Sequence, residues 1–385
     1  MAVDVARLRE TWARVAGHGD QVPSYFYGHL FLSHPEVRPM FPATMAMQRD
    51  RLVGALAQII TSVDDLDTLV PFLRGLGSDH RRFAVVAEHY PAVGGSLLAT
   101  LEAFLGAEWT PQVEADWTEA YGLVAQVMTQ AAAEATGPAS WEADIIAYER
   151  RTADVAVVYL RPESPIGYLP GQSLSVEFPA ALPRLWRFYS PANAPREDGL
   201  IELHVRALDG GLVSGALTYQ ARVGDRLRLG PPLGDRLLLE TAKPGVPLVL
   251  IAGGTGLAPL KALVDSVIRR GGSNEPVWLI HGVRYGSDLY DLPALSALAD
   301  RNPWLSVAPV VSDDPLWRGP AGNAVDEALR AGPARHAEVF LCGSPDMTTA
   351  SLNRLAEYGY APEQIHFEHW WAAGTRPPAA WEAGT

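Results

Sequence analysis

The stretch IAGGTGLAPLKALV, residues 251–264, reads as an apolar strand that runs into glycines and then into a helix. Glycine lets a backbone come close to a ligand, and the start of the following helix offers free N–H groups and a positive dipole end to a pyrophosphate. Gly254, Thr255, Gly256, Leu257, Ala258 and Pro259 are therefore candidate dinucleotide contacts, with Pro259 where the usual fingerprint has a third glycine. Taken alone, the same residues also describe a plain tight turn between strand and helix. The stretch belongs to a longer alternation from Val246 onward: PLVLIAGG, LAPLKALVDSVIRR, PVWLIHGV, LSVAPVVS and AEVFLCG. Strands that alternate with helices predict a parallel, doubly wound α/β sheet.

Upstream, the texture is short β-rich runs between Pro and Gly: IIAYERR, VAVVYL, SLSVEF, LIELHV and RLRLG. That spacing predicts a small antiparallel barrel or sandwich. One run, LWRFYSP, ends in Arg187, Tyr189 and Ser190. An arginine forks onto phosphates, a tyrosine ring lies flat on a conjugated system, and a hydroxyl bonds a ring heteroatom, which together meet the needs of a bound flavin. Further on, DGGLVSGAL places Gly210, Gly211, Val213 and Ser214 at a helix start, again suited to a pyrophosphate. Each feature alone is also an ordinary strand end or helix cap; their order along the chain is the stronger signal.

The first part of the chain is predicted to be all-α. Val5, Leu8, Trp12 and Val15 recur at three and four, as do Leu97, Leu101, Phe104 and Leu105, and Trp117, Tyr121, Val124 and Met128. At ATGPASW, residues 135–141, small residues, Gly and Pro suggest a boundary. The expected division is 1–135, 142–240 and 245–371, with a disordered tail at 372–385.

Composition narrows the function classes. A chain of 385 residues with 48% hydrophobic and 19% charged residues is long enough for two or three soluble domains. Its net charge of -13 argues against nucleic acid or an anionic membrane as partner. One cysteine, Cys342, excludes an intramolecular disulfide framework and fits a reducing compartment. MAVDVARLRETW carries charges throughout and has no apolar run of signal-peptide type, so a cytoplasmic location is expected.

From the motifs in order, residues 142–371 resemble the ferredoxin reductase family: Arg187-Phe188-Tyr189-Ser190, Gly211 to Ser214, the loop Gly254 to Pro259, and Cys342-Gly343 with Pro345 and Met347. The resemblance implies FAD in a barrel, NADH or NADPH on the sheet, and hydride transfer to the flavin near Cys342. It also implies that Trp370, in HFEHWW, is an aromatic residue over the flavin ring. The choice between NADH and NADPH stays open; Arg284 suits a 2'-phosphate and equally a solvated loop.

The helical part resembles a globin. YFYGHLFLSHPEVRPMF is similar to its second and third helices, with Tyr27 facing the pocket and Phe41 at the corner that wedges haem. QRDRLVGALAQII follows as the distal helix, with Gln48, Leu52, Leu56 and Ile59 on one stripe. On this register His80, in GLGSDHRRFAVVAEHY, falls where globins place the axial ligand of the haem iron, and Leu76, His80 and Phe83 are expected on one helix face.

The whole chain resembles a flavohaemoglobin, a globin fused to a flavin and nicotinamide reductase. The resemblance implies haem b, FAD and NADH or NADPH as cofactors, oxygen and nitric oxide as small-molecule partners, a monomer, and oxidation of nitric oxide by haem-bound oxygen to nitrate. Tyr27 and the Gln48 amide are the implied donors to bound oxygen, and Tyr90 the implied relay partner of His80. Two departures resemble a divergent class. The relay's terminal glutamate position is occupied by Ala132, with Glu134 turned about 200° away around the helix, and Asp79 stands where lysine is frequent. Competing readings are an electron-transfer oxidoreductase acting on a hydroxy acid or quinone, and a gas or redox sensor.

Overall fold

The three- and four-residue spacing at the start of the chain becomes helix α1 (Val5–Ala16), which buries Leu8, Trp12 and Val15 along one face. The Asp4 carboxylate caps it by accepting from the Arg7 N–H at 3.1 Å. This computed structural model describes residues 3–331 and 336–368. Within them the chain divides into two compact units, Met1–Ser140 and Trp141–Thr385.

The first unit is helical, as expected. After α1 come α2 (Gln21–Ser33), a 3-10 turn over Pro35–Met40, α3 (Ala46–Thr61), α4 (Leu66–His80), α5 (Tyr90–Leu105) and α6 (Pro111–Glu134). Leu8, Leu30 and Leu101 are fully buried, each contributing roughly 2 kcal/mol of apolar transfer. A polar tie fastens α6 to α1, where Trp117 Nε1–H donates to Thr11 Oγ1 at 3.0 Å. The backbones of α4 and α6 meet closely at Gly77, where a Cβ would stand 2.3 Å from the Met128 carbonyl oxygen. No described helix is long and apolar enough to cross a membrane.

The second unit holds two sheets. The first comprises β1 (Trp141–Arg150), β2 (Val155–Pro162), β3 (Ser173–Phe178), β4 (Leu182–Tyr189), β5 (Ile201–Arg206) and, after helix α7 (Leu212–Tyr219), β6 (Arg226–Leu233). All its pairings are antiparallel, in the order β4-β3-β6-β1-β2-β5. The ends of that order meet, because Pro191, just past β4, bridges Leu203 of β5. The sheet therefore curls on itself as a barrel, which decides between the two architectures the spacing allowed. In β5, Ile201, Leu203 and Val205 enter the barrel core, so Glu202, His204 and Arg206 project from the opposite face.

The second sheet follows with β7 (Leu248–Gly253), α8 (Leu257–Arg269), β8 (Val277–Val283), α9 (Leu292–Arg301), β9 (Leu305–Val311), α10 (Ala324–Ala331), β10 (Glu338–Cys342), α11 (Pro345–Tyr358) and β11 (Ile365–His366). Its pairings are all parallel, in the order β11-β10-β7-β8-β9. The chain runs outward from β7 to β9 and then crosses to β10 on the other side. The carboxyl ends of β7 and β10 therefore flank the topological switch point, where open α/β sheets bind ligands.

Candidate functional site

His80 is the last residue of α4 and Tyr90 the first of α5, so the stretch that joins them is a helix end, a 3-10 turn over Arg81–Phe83 and a short connection. The His80 Nδ1 lies 2.7 Å from the Leu76 carbonyl oxygen one turn earlier. A carbonyl only accepts, so Nδ1 carries the proton and Nε2 keeps its lone pair. Among the described residues Nε2 has no hydrogen-bond partner. Burial lowers the imidazole pKa below its usual value, against the opposing pull of the Leu76 bond and Asp79, and the ring stays neutral. Phe83 lies beyond the helix in the 3-10 turn, and its ring still meets His80 edge-on at 6.3 Å.

The Tyr27 phenol is buried among Phe26, Phe31 and Phe41, with ring centroids 5.0 to 5.7 Å away. Its O–H donates to the Gln48 backbone carbonyl at 3.2 Å. Tyr27 and Gln48 are thus brought together, through the Gln48 main chain and also its side chain. Burial also pushes the Tyr27 pKa up, which keeps the phenol protonated. The α3 stripe is only half covered by protein: Leu52 and Leu56 pack with the cluster around Tyr27 and Phe41, and Ile59 packs with the one around Leu76.

These residues fit a haem. A neutral imidazole with one free nitrogen is the usual iron ligand, a backbone bond at the other nitrogen fixes its tautomer, and a half-covered apolar stripe suits a flat macrocycle.

The expected relay is arranged differently. The Tyr90 hydroxyl bonds the Thr129 side chain, and the Tyr90 carbonyl accepts from Tyr121 O–H at 2.6 Å. His80 Nδ1 is held by the Leu76 carbonyl, not by Tyr90. Tyr90 and Thr129 line a cleft of about 610 Å³ with Tyr121, Gly122 and Ala133, whereas Ala132 is not among its lining residues. Thr129 is thus the α6 side chain that bonds Tyr90. Glu134 faces elsewhere, paired with Arg74 at 2.7 Å. Asp79 pairs with the buried Arg82 at 2.7 Å, so this departure from the usual lysine belongs to an ion pair beside His80.

In the second unit, Arg187, Phe188 and Tyr189 end β4 and Ser190 follows it. Arg187 Nη1 donates to the Trp186 carbonyl at 2.8 Å. The Tyr189 hydroxyl is held protonated by burial. Gly211 is the residue before α7, and its position is tight: a Cβ there would stand 2.4 Å from Ser214 Oγ. Ser214 Oγ already donates to the Gly211 carbonyl and accepts from Leu208 N–H, both at 3.2 Å. Val213 is fully buried in the barrel core, so only its backbone is available to a ligand.

The glycine loop after β7 is a 3-10 turn, Gly254–Gly256, that runs directly into α8. Gly254 has φ +52, a left-handed conformation that favours glycine. A Cβ on Gly256 would lie 2.3 Å from the Cys342 carbonyl oxygen, and one on Gly343 2.4 Å from Met347 Sδ. The loops after β7 and β10 are thus in backbone contact. Leu257, Ala258 and Pro259 are buried, which leaves Thr255 and the loop's main chain to face a ligand. This approach and the helix start behind it fit a pyrophosphate. The Cys342 thiol is pushed up to about 12, first by burial and then by the charge of Glu368, so it stays protonated. Trp370 lies outside the described residues.

Sequence reading missed Glu368, which accepts from Arg236 N–H at 3.1 Å and so brings the end of the described chain to the loop after β6. It also missed a buried set of charged and polar side chains around β5. Alternation in LIELHVR was the available signal, since it leaves Glu202, His204 and Arg206 on the non-core face.

Comparison with known proteins identifies this arrangement. The family model described as Globin matches residues 24–128. The Oxidoreductase FAD-binding domain matches 143–236 and the Oxidoreductase NAD-binding domain 250–352. A flavohemoprotein of Chromobacterium violaceum is 30% identical over 385 residues, covering 91% of this chain and 93% of that protein. The reductase subunit of an aromatic O-demethylase from an Amycolatopsis species is 36% identical over 234 residues, covering 58% of this chain and 69% of that one. A flavohemoglobin from Malassezia yamatoensis, solved with bound FAD and haem, shares the fold with TM-score 0.75 at 21% identity, covering 94% of this chain and 97% of that one. The chain belongs to the flavohaemoprotein family, a globin joined to FAD-binding and NAD-binding oxidoreductase domains, and is an NAD(P)H oxidoreductase whose cofactors are haem, FAD and a nicotinamide nucleotide.

Proposed function

We propose that the protein is a nitric oxide dioxygenase: two nitric oxide and two oxygen molecules take the two electrons of one NAD(P)H and leave as two nitrates, with one proton released. The observation that carries this reading is the Tyr27 phenol, buried in an aromatic cluster with its hydroxyl held on α3. A protonated O–H in an apolar pocket is a donor suited to an anionic ligand, contributing about 1.5 to 3 kcal/mol when the acceptor is charged. The bound haem would supply the oxygen-binding iron, and the bound flavin would pass on the electrons of a hydride singly.

His80 would hold that iron through Nε2, its Nδ1 proton fixed on the Leu76 carbonyl. Phe41, Leu52 and Leu56 would line the haem edge and exclude water. Arg187, Tyr189 and Ser190, with the helix start at Gly211, Val213 and Ser214, would hold FAD. The loop from Gly254 to Ala258 would take the nicotinamide dinucleotide, with Cys342 and Gly343 beside it. The test is nitric oxide consumption by the purified holoprotein with NADH or NADPH in air. Nitrate forming in step with NAD(P)H oxidation is expected, and no acceleration of that oxidation by nitric oxide would end the reading.

One observation favours a second reading. His80 Nδ1 is on a backbone carbonyl and Tyr90 on Thr129, and among the described residues no carboxylate bonds either side chain to strengthen donation to iron. The reductase half is also similar to the reductase subunit of an aromatic O-demethylase. In this reading the protein passes electrons between nicotinamide and an organic substrate such as a hydroxy acid or quinone, and its signature is flavin reduction by the hydroxy acid without nicotinamide, or reoxidation of the NAD(P)H-reduced flavin by the quinone.

A further inference from the structure

One face of β5 is built for something other than the barrel. The core-facing residues Ile201, Leu203 and Val205 are apolar, while Glu202, His204 and Arg206 face away. In a free-standing barrel that second face would meet water. Here Glu202 and His204 are drawn into a set of side chains from the nicotinamide-binding sheet.

Lys261, one turn into α8 behind the glycine loop, bonds Glu202 Oε1 at 2.9 Å and Asp291 Oδ2 at 2.7 Å. Asp291 and His204 are buried. Burial alone would raise the Glu202 pKa, but His204 and the Lys261 ammonium hold it down at about 2, so Glu202 is a carboxylate. A carboxylate only accepts, and therefore His204 Nε2–H donates to Glu202 at 2.7 Å. The bare His204 Nδ1 then accepts from Tyr290 O–H at 2.8 Å.

The Tyr290 ring stands edge-on to two imidazoles, His204 at 5.2 Å and His281 at 5.8 Å. His281 Nε2–H donates in turn to the Gly254 carbonyl at 3.0 Å, while its buried Nδ1 has no partner among the described residues. A continuous buried path thus runs from the barrel strand to the carbonyl of the first loop residue. Charges on it balance: Glu202 and Asp291 stand against Lys261 and, 3.9 Å from Asp291, Arg151.

Ion pairs of this kind are poor sources of stability, since apolar replacements of equal volume often serve as well. What they provide is a single geometry. We propose that Glu202, His204, Lys261, Tyr290 and Asp291, with His281 at the end of the path, are positioning residues that fix the Gly254–Gly256 loop against the flavin-binding barrel. They thereby set the distance over which hydride passes. The proposal rests on the reading above that this loop takes the nicotinamide dinucleotide. Hydride transfer requires reacting atoms about 3 to 3.5 Å apart, and a misplacement of about 1 Å costs up to roughly a hundredfold in rate.

The test is anaerobic stopped-flow reduction of FAD by NADH in the full-length holoprotein. His281→Leu is expected to lower the limiting rate by about ten- to a hundredfold with FAD content and haem spectrum unchanged. His281→Gln, whose amide N–H can reach the Gly254 carbonyl, should recover the rate to within about threefold of wild type. Tyr290→Phe keeps the ring and removes only the donor to His204, and should slow reduction by about three- to tenfold; it decides the matter if His281→Leu does not fold. Wild-type limiting rates in folded, FAD-replete variants would overturn the proposal, as would equal losses in His281→Leu and His281→Gln. Gly254→Val separates the two levels. If it weakens NADH binding while the positioning variants reduce FAD normally, only the positioning role falls; if it leaves the NADH dependence at wild type, the loop reading falls and the proposal with it.

Discussion

His80 in the globin unit and His281 in the reductase unit are both neutral because they are buried, and each donates one N–H to a backbone carbonyl. They differ in what surrounds the second nitrogen. His80 Nε2 belongs to a half-buried residue at a helix end beside half-covered apolar side chains, whereas His281 Nδ1 is enclosed within the sheet. Neutrality and tautomer therefore do not make a ligand. A nitrogen that keeps its lone pair at a place another group can reach does, and an enclosed one points to a role in holding structure.

The largest expected effect breaks that comparison on one side. His80→Ala should abolish stable haem binding while FAD binding and flavin reduction by NADH survive, because the imidazole and the reductase lie in separate compact units. A variant with a normal haem spectrum would remove His80 as the ligand.

Acid tests the other side. The His281 pKa is depressed to about 4, mainly by burial, while the unfolded chain takes up that proton near pH 6.5. The contribution is complete above about pH 6.5 and is lost as pH falls towards about 4, amounting to roughly 3 kcal/mol. Urea unfolding of the reductase transition at several pH values should show this slope, and His281→Gln should flatten it. Equal slopes in the two proteins would mean the imidazole is not held neutral.

Smaller effects sharpen the contrast between motif and pocket. Arg187→Ala should weaken FAD retention by about tenfold or more, and Ser190→Ala by less, because only the first removes a charge-assisted phosphate contact of about 1.5 to 3 kcal/mol. Flavin content after gel filtration measures both. The smallest effect concerns Tyr90: Thr129→Val should cost about 1 kcal/mol or less of globin stability and shift the ferrous iron–histidine stretching frequency little. Ala132→Glu, about three helical turns after Tyr121 on the same side of α6, should raise that frequency by setting a carboxylate near Tyr90. An unchanged frequency in a folded, haem-replete Ala132→Glu variant would end the relay register the sequence suggested.

How far each unit was legible differs for a physical reason. The reductase motifs are local: a strand, a glycine turn and a helix start are encoded within about fifteen residues, so the loop at Gly254 and the end of β4 at Ser190 stood where they were expected. The globin pocket is assembled by helices whose sequence demands only periodicity, and rotation about a helix axis is weakly encoded. That is why periodicity placed Tyr27 and Gln48 at one pocket without showing that the Tyr27 O–H donates to the Gln48 main chain, and why it did not find Thr129 beside Tyr90.

By itself the sequence determined the order of helical, barrel and doubly wound parts, the glycine loop, and the histidine that ends α4. Each follows from backbone preference and hydrophobic period, which act over a few residues. Only the tertiary structure decided that the sheet closes between Pro191 and Leu203, that Gly256 abuts the Cys342 carbonyl, and that β5 meets Lys261 and Tyr290. Those pairs lie 59 and 86 residues apart for the two β5 contacts, and a partner at that distance is chosen by which surfaces pack together, a choice no local pattern records.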